Sequence, residues 1–323
     1  MEYSEFRKAN ASANTDNFNN KLNTLFLGYR HQIHYPKSIV AMRKFENEYP
    51  LQKREYSTRA INQVISSPQG NIPIRIYSPS QPHAVLLHFP PGEFCLGKPA
   101  HYDQYLSSLS DATQIAILSC ETKMAPNNIY PAAHLDAVNA AKWLINNVKK
   151  EFNCEQLLIG GESSGANLAL HALIQTLPEK SPSQFSGYFA VNGLFDCSQD
   201  RNLTHPNHHI DLNGNRLQMF LNAYTPMYSD RLSSPLSPLL HSLPLERLCP
   251  ALFLTGTLSL LTEETIFLYH KWLISQNKAA SHIFPGGAHN FIHYDFPLAL
   301  EAQSSLCSFL SKQSRPLSLK KAI

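Results

Sequence analysis

Charge is scarce in this chain. Asp, Glu, Lys and Arg make up 16% of its 323 residues and leave a formal net charge of +3. That balance gives no reason to invoke nucleic acid or an anionic membrane surface as a partner. Paired cysteines are lacking too: the six present (Cys95, Cys120, Cys154, Cys197, Cys249 and Cys307) stand apart, with no C-x-x-C among them. Several lie in or beside apolar segments, so buried reduced thiols are expected and a cytoplasmic setting fits. No apolar run approaches the length of a membrane span, and no stretch repeats. The first residues, Met-Glu-Tyr-Ser-Glu-Phe-Arg-Lys, lack the charged-then-apolar order of a signal peptide. What is plentiful is hydrophobic side chain, at 43%. That is enough for one large core, and an α/β fold of this size is often a single domain.

The apolar residues are spaced in two periods. Short runs at Ile61–Ser66, Ile72–Tyr77, Ala84–Phe89, Ile115–Cys120, Leu157–Ile159, Tyr188–Val191, Ala251–Leu254 and Ser281–Phe284 read as strands. Gln69-Gly70-Asn71 is a turn that closes the first two into a hairpin, with Ile72–Tyr77 alternating as a half-buried strand. Helical spacing fills the gaps, as at Ala132–Asn147, Ile266–Ile274 and Leu298–Leu310. Strand–helix alternation of this kind predicts an α/β fold with a doubly wound, mostly parallel sheet. Two segments stand outside it. Residues 1–56 carry two amphipathic helical patterns ahead of the core, residues 57–323. Within the core, residues 199–245 are rich in Pro, Asn and Ser, hold one helix-like piece (Leu217–Tyr224), and read as an inserted cap.

The chemistry centres on residues 157–170. Leu157–Ile159 is a buried strand, Gly161-Glu162-Ser163-Ser164-Gly165 breaks it, and an apolar helix follows from Ala166. Strand, G-x-S-x-G, helix is the context of a nucleophile elbow. A serine on so sharp a turn takes a strained backbone, and the flanking glycines leave room for strand and helix to approach. The turn lifts the Ser163 hydroxyl clear of the sheet. It also aims the Ser164 N–H, at a helix N-terminus, toward a developing oxyanion.

Together with Phe94-Cys-Leu-Gly, Glu121-Thr-Lys-Met-Ala-Pro, Tyr130-Pro-Ala-Ala, Ser237-Pro-Leu-Leu, Pro250-Ala-Leu and Gly286-Gly-Ala-His-Asn-Phe, this stretch resembles the hormone-sensitive-lipase-like branch of the α/β-hydrolases. That branch contains bacterial carboxylesterases and arylacetamide-deacetylase-like enzymes. The resemblance runs from about Ile72 to Leu310 and implies the α/β-hydrolase fold with two caps, residues 1–56 forming the N-terminal helical cap. It implies Ser163 as nucleophile and His289 as the base that takes its proton and returns it to the leaving group. It also implies oxyanion donors at the backbone amides of Gly92, Glu93 and Ser164.

Two parts of the pattern are altered. The position of the family's triad aspartate falls on Ser259, which can hold one histidine tautomer but cannot offset an imidazolium charge. Asp196, after the preceding strand, and Glu263, one turn beyond Ser259, are the candidate substitutes. The competing readings are a turn aspartate for Asp196 and, for Glu263 with Glu264, first-turn charges of a helix capped by Thr262. The oxyanion loop reads Pro90-Pro91-Gly92-Glu93-Phe94 where the family has His-Gly-Gly-Gly-Phe; His88 falls two residues early and reads as a strand residue. Both prolines lie outside the donor positions. A Glu93 carboxylate about 5 Å from an oxyanion would cost roughly 3 kcal/mol at an effective dielectric of 20.

His205-Pro-Asn-His208-His209 with Asp211 has metal-ligand types but no closed tetrahedral spacing, and reads as an exposed His-rich loop with no metal. Phe18, Phe26, Tyr29 and Tyr224 could line an acyl pocket, or be core. The sequence thus points to a serine ester hydrolase for small, apolar acyl esters, with a weakened or relocated acid. No cofactor is implied, the partner expected is the small-molecule ester, and the reading leaves room for a homodimer. The rival is a catalytically impaired hydrolase-fold protein that binds a small ligand or a protein.

Overall fold

The structure, a computed structural model, describes residues 15, 17, 19, 38–48, 56–199 and 212–315. The apolar runs pair as eight strands: β1 (Ile61–Ile65), β2 (Ile72–Tyr77), β3 (Ala84–Phe89), β4 (Ala116–Cys120), β5 (Gln156–Glu162), β6 (Gly187–Val191), β7 (Ala251–Gly256) and β8 (Ala279–Phe284). They form one sheet in the order β1-β2-β4-β3-β5-β6-β7-β8. β1–β2 and β2–β4 are antiparallel, and every later pairing is parallel. The expected fold class is the one observed. Strands β3 to β7 are buried on both faces, as continuous apolar runs require of a doubly covered parallel sheet.

Helices α1 (Ile39–Glu48), α2 (Asp103–Thr113), α3 (Ala132–Phe152), α4 (Ser164–Gln175), α5 (Gly214–Tyr224), α6 (Tyr228–Arg231), α7 (Thr262–Ile274) and α8 (Pro297–Gln313) accompany the sheet, with short 3₁₀ turns between. Residues of α3, α4 and α7 join the core on one sheet face, and those of α2 and α8 on the other. Among the described residues no helix is long and apolar enough to cross a membrane. Of the first predicted cap, α1 is described; it packs against α5 of the inserted segment, and Arg43 donates to the carbonyls of Cys95 and Ala125 (2.9 and 2.5 Å). Phe18, Phe26, Tyr29 and the 205–211 histidine cluster lie outside the described residues.

Two local expectations are corrected. β2 is not half-buried: its polar position, Arg75, is covered because Asp103 at the start of α2 pairs with the guanidinium (2.7 and 2.5 Å) and accepts from Tyr77 (2.7 Å). Exposure falls at the sheet edges, in β1, where Ile61 and Val64 face solvent, and in β8, where Ile283 does. Thr262 does not cap α7 either. It is the first helical residue, and its hydroxyl donates back to the Gly256 and Ser259 carbonyls (2.8 Å each), bracing the turn before the helix.

The glycines of the elbow act by absence of a side chain. A Cβ on Gly165 would stand 2.0 Å from the Phe89 carbonyl oxygen, and one on Gly161 would stand 2.2 Å from the same atom. Both obstacles are backbone, so neither can rotate away. Gly165→Ala should therefore lower unfolding free energy by about 2 kcal/mol as β3 and α4 are forced apart. An unchanged urea midpoint for that variant would refute the close-approach account.

Candidate active site

Four loops at the carboxyl ends of parallel strands converge, the usual location of ligand sites in open α/β sheets. Ser163 follows β5, and its backbone sits at φ 52°, ψ −123°, a strained region for any residue but glycine. Hydrogen bonds hold it there: Ser163 N donates to Val191 O (2.9 Å), and Leu194 N donates to Ser163 O (3.1 Å). Its amide neighbour Ser164 opens α4, so partial positive charge accumulates beside the hydroxyl.

His289 lies in the loop after β8, and the chain fixes both its ends. Asn192 donates to its carbonyl (2.5 Å), Thr257 Oγ1 accepts from Gly286 N (2.8 Å), and Asn19 donates to Gly286 O (2.6 Å). Leu258 N donates to Gly287 O (2.9 Å), which ties the loop after β7 to the loop after β8 and so keeps Ser259 opposite His289. The resulting contacts are direct. His289 Nε2 is 2.9 Å from Ser163 Oγ, and His289 Nδ1 is 3.0 Å from Ser259 Oγ. All three side chains are buried. The Ser259 oxygen also accepts from Leu261 N (3.2 Å), so the Nδ1 side is occupied by a neutral hydroxyl.

Neither candidate acid reaches His289. Asp196 closes its own turn, accepting from Ser198 N (3.0 Å), Ser198 Oγ (2.5 Å) and Gln199 Nε2 (2.7 Å), which is the turn-aspartate reading. Glu263 sits in the first turn of α7, where burial pushes its carboxyl up from the ordinary value. Its neighbour Glu264 is no solvated helix charge: it is buried and accepts from the amides of Phe195 and Asp196, pinning the loop after β6.

The carboxylate that does enter the site is Glu93. Its Oε1 accepts from Ser163 Oγ (3.4 Å) and stands 3.8 Å from His289 Nε2, and the residue is 4% exposed. The loop conformation aims it there. Gly92 O accepts from both Cys95 N (2.9 Å) and Leu96 N (2.7 Å), while Glu93 and Phe94 both adopt positive φ (49° and 62°). Phe94 anchors the turn by stacking on Tyr224 (4.5 Å), and its amide donates to Ser164 Oγ (3.4 Å). Tyr224 is therefore core beneath the loop.

Sequence reasoning missed the cationic side of the site. Arg216, in the first turn of α5, and His293, in the short 3₁₀ turn Phe291–His293, both bear electrostatically on His289. Burial first, then these two groups, push His289 down to about 3, so the imidazole is neutral at physiological pH and able to accept a proton. Behind the nucleophile, His88 bridges Ser119 Oγ (2.9 Å) and Glu162 Oε2 (2.8 Å), confirming it as a buried strand residue. Burial opposes ionisation of Glu162, yet His88 and His293 hold its carboxyl down at about 2.

These groups set an acid limit on stability. Burial lowers His134 and His289 to about 3 and His171 to about 4, against an ordinary value of 6.5. Below pH 6.5 the unfolded chain binds protons that the folded chain refuses, so stability falls with falling pH until the folded values are reached. Three such groups give a slope of up to about 4 kcal/mol per pH unit between about pH 6 and about pH 4.5. Urea unfolding at pH 7 and pH 5 should differ accordingly; equal free energies would contradict neutral burial of these histidines.

Residues 86–293 match a family described as having the alpha/beta hydrolase fold. Over 154 residues the chain is 27% identical to a 2-hydroxyisoflavanone dehydratase of Glycyrrhiza echinata, covering 41% of this chain and 47% of that protein. It is 24% identical over 229 residues to an ethyl acetate hydrolase of Pseudomonas putida, covering 68% of this chain and 71% of that one. In three dimensions it superimposes on a hyperthermophilic esterase of the archaeon Pyrobaculum calidifontis with a TM-score of 0.82 at 21% identity, covering 90% of this chain and 97% of the other. The match thus spans about half the length of the first relative, and at that identity the superposition speaks for the fold alone.

Proposed function

The chain belongs to the alpha/beta hydrolase fold family, and on that premise we propose that it is a serine carboxylic-ester hydrolase acting on small, apolar acyl esters. The observation that carries the reading is the 2.9 Å contact between His289 Nε2 and Ser163 Oγ, made at the tip of a strained strand-to-helix turn. In the proposed reaction Ser163 Oγ attacks the acyl carbonyl while its proton passes to Nε2. The amides of Gly92, Glu93 and Ser164 receive the oxyanion. His289 then protonates the departing alcohol, and water repeats the sequence on the acyl-enzyme. Ser259 accepts Nδ1–H and keeps the Nε2 lone pair turned to the nucleophile, a task a hydroxyl can perform. The ester hydrolase among the relatives supports the same chemistry.

One observation favours a second reading. Glu93 points at Ser163 while Nδ1 of His289 meets a serine, so the site could serve a catalytically impaired protein that binds a ligand. Turnover of p-nitrophenyl acetate and butyrate by the purified protein, beside Ser163→Ala, separates the two. Hydrolysis that vanishes with Ser163 supports the esterase. Equal, negligible rates in both proteins would abandon it for the binder.

A further inference from the structure

We propose that the Glu93 carboxylate is the counter-charge of the His289 imidazolium, acting from the Nε2 side in place of an acid behind Nδ1. This rests on the serine-hydrolase reading and deepens it. His289 has three polar partners, Ser163, Ser259 and Glu93, and only Glu93 carries negative charge. Asp196 and Glu264 are committed to the loop after β6. Burial, then Arg216 from α5 and His293 from the 3₁₀ turn, oppose a positive imidazole at His289. Proton transfer from Ser163 into that environment needs an anion close by, and Glu93 is the carboxylate within 4 Å.

The geometry divides Glu93 between two tasks. Its backbone N–H belongs to the loop that faces the oxyanion, and its side chain reaches past to the base. As Oγ bonds the carbonyl carbon, the Ser163 O–H bond breaks, its proton moves to Nε2, and the carbonyl π pair moves onto oxygen. The incoming carbonyl takes the place beside Oγ, and the carboxylate keeps its remaining contact with the new Nε2–H. When the ester C–O bond breaks, that proton leaves with the alcohol and the imidazole is neutral again. Glu93 touches both reacting groups, so the role is catalytic.

The test follows kcat and KM for p-nitrophenyl butyrate, and the rate at which a p-nitrophenyl alkylphosphonate labels Ser163, from about pH 4 to about pH 9. Four proteins are compared: wild type, Glu93→Gln, Glu93→Asp and the double variant Glu93→Gln/Ser259→Asp, each with its thermal unfolding midpoint. The expected result is that Glu93→Gln lowers kcat and labelling about tenfold or more with KM little changed. Glu93→Asp should fall between, and Ser259→Asp should restore the Gln variant by supplying the charge from the other nitrogen. A folded Glu93→Gln protein as fast as wild type or faster would overturn the proposal and make the carboxylate an obstruction. So would a loss that does not yield to Ser259→Asp. Failure of the underlying reading looks different: wild-type Ser163 would then take no label at all, and that result would remove both.

Discussion

Ser163→Ala should lower ester turnover by at least about 10²-fold, and how far the loss exceeds that figure measures how well this site manages without a triad aspartate. In a complete Ser–His–Asp site, loss of the serine costs on the order of 10⁶-fold and loss of the acid alone on the order of 10⁴-fold. The ratio, about 10², is what a serine–histidine pair contributes without its carboxylate. Here the pair is built to that standard, with Nε2 at 2.9 Å from Oγ and the nucleophile in a strained, buried turn. Ser259 on Nδ1 fixes the tautomer, and Glu93 adds negative charge near Nε2. Each should push the loss toward about 10⁴-fold. Because the two groups act as a unit, His289→Ala should cost about as much as Ser163→Ala, and the double variant scarcely more. The check is kcat for p-nitrophenyl butyrate by all three proteins. A Ser163→Ala protein retaining a tenth of wild-type activity would place the reaction elsewhere.

Much of this was legible in the sequence, and the residues explain why. β3 and β5 announce themselves because a strand buried on both faces must be a continuous apolar run, and the elbow follows because only glycine clears the Phe89 carbonyl at positions 161 and 165. Ser163, His289 and Ser259, which ordered motifs single out, lie side by side in the structure. What escaped depends on contacts between residues far apart in sequence. Burial of Arg75 needs Asp103 from another element. The difference between Glu263 and Glu264 depends on which side of α7 meets the amides of Phe195 and Asp196. Arg216 belongs to a helix whose periodicity was visible, yet its effect on His289 required the inserted segment to lie over the site.

Glu93 shows the limit most sharply. Its identity raised a question that only its direction could answer. That direction follows from two consecutive positive-φ residues, held because Gly92 O collects two amides and Phe94 is clamped against Tyr224. At an effective dielectric of 20, attraction between the carboxylate and an imidazolium at 3.8 Å is about 4 kcal/mol, slightly more than the roughly 3 kcal/mol of repulsion from an oxyanion about 5 Å away. The same side chain therefore helps the base by more than it disfavours the oxyanion, and the sign of the kcat change in Glu93→Gln reads which of the two prevails.

Ser259→Asp carries no such ambiguity and should raise kcat by about 10²-fold. The position is ready for a carboxylate. Ser259 Oγ already lies 3.0 Å from Nδ1, and the one further atom of aspartate brings an oxygen to the same nitrogen. Leu261 N, which now donates to the hydroxyl at 3.2 Å, would donate to the second carboxylate oxygen. The N-terminus of α7 begins beside it, adding favourable partial charge for an anion. With two such donors the buried charge is paired rather than stranded, so the substitution should fold. The new anion faces the imidazole directly and opposes the burial, Arg216 and His293 that hold His289 at about 3. Its proton affinity must rise, and the acid limb of kcat/KM must move to higher pH. The wild-type limb, by the same reasoning, lies well below pH 6.5. A pH–rate profile of the two proteins reads both effects at once. A faster variant with an unmoved limb would mean that aspartate improved orientation alone, and an unchanged kcat would mean that Glu93 already supplies all the charge His289 can use.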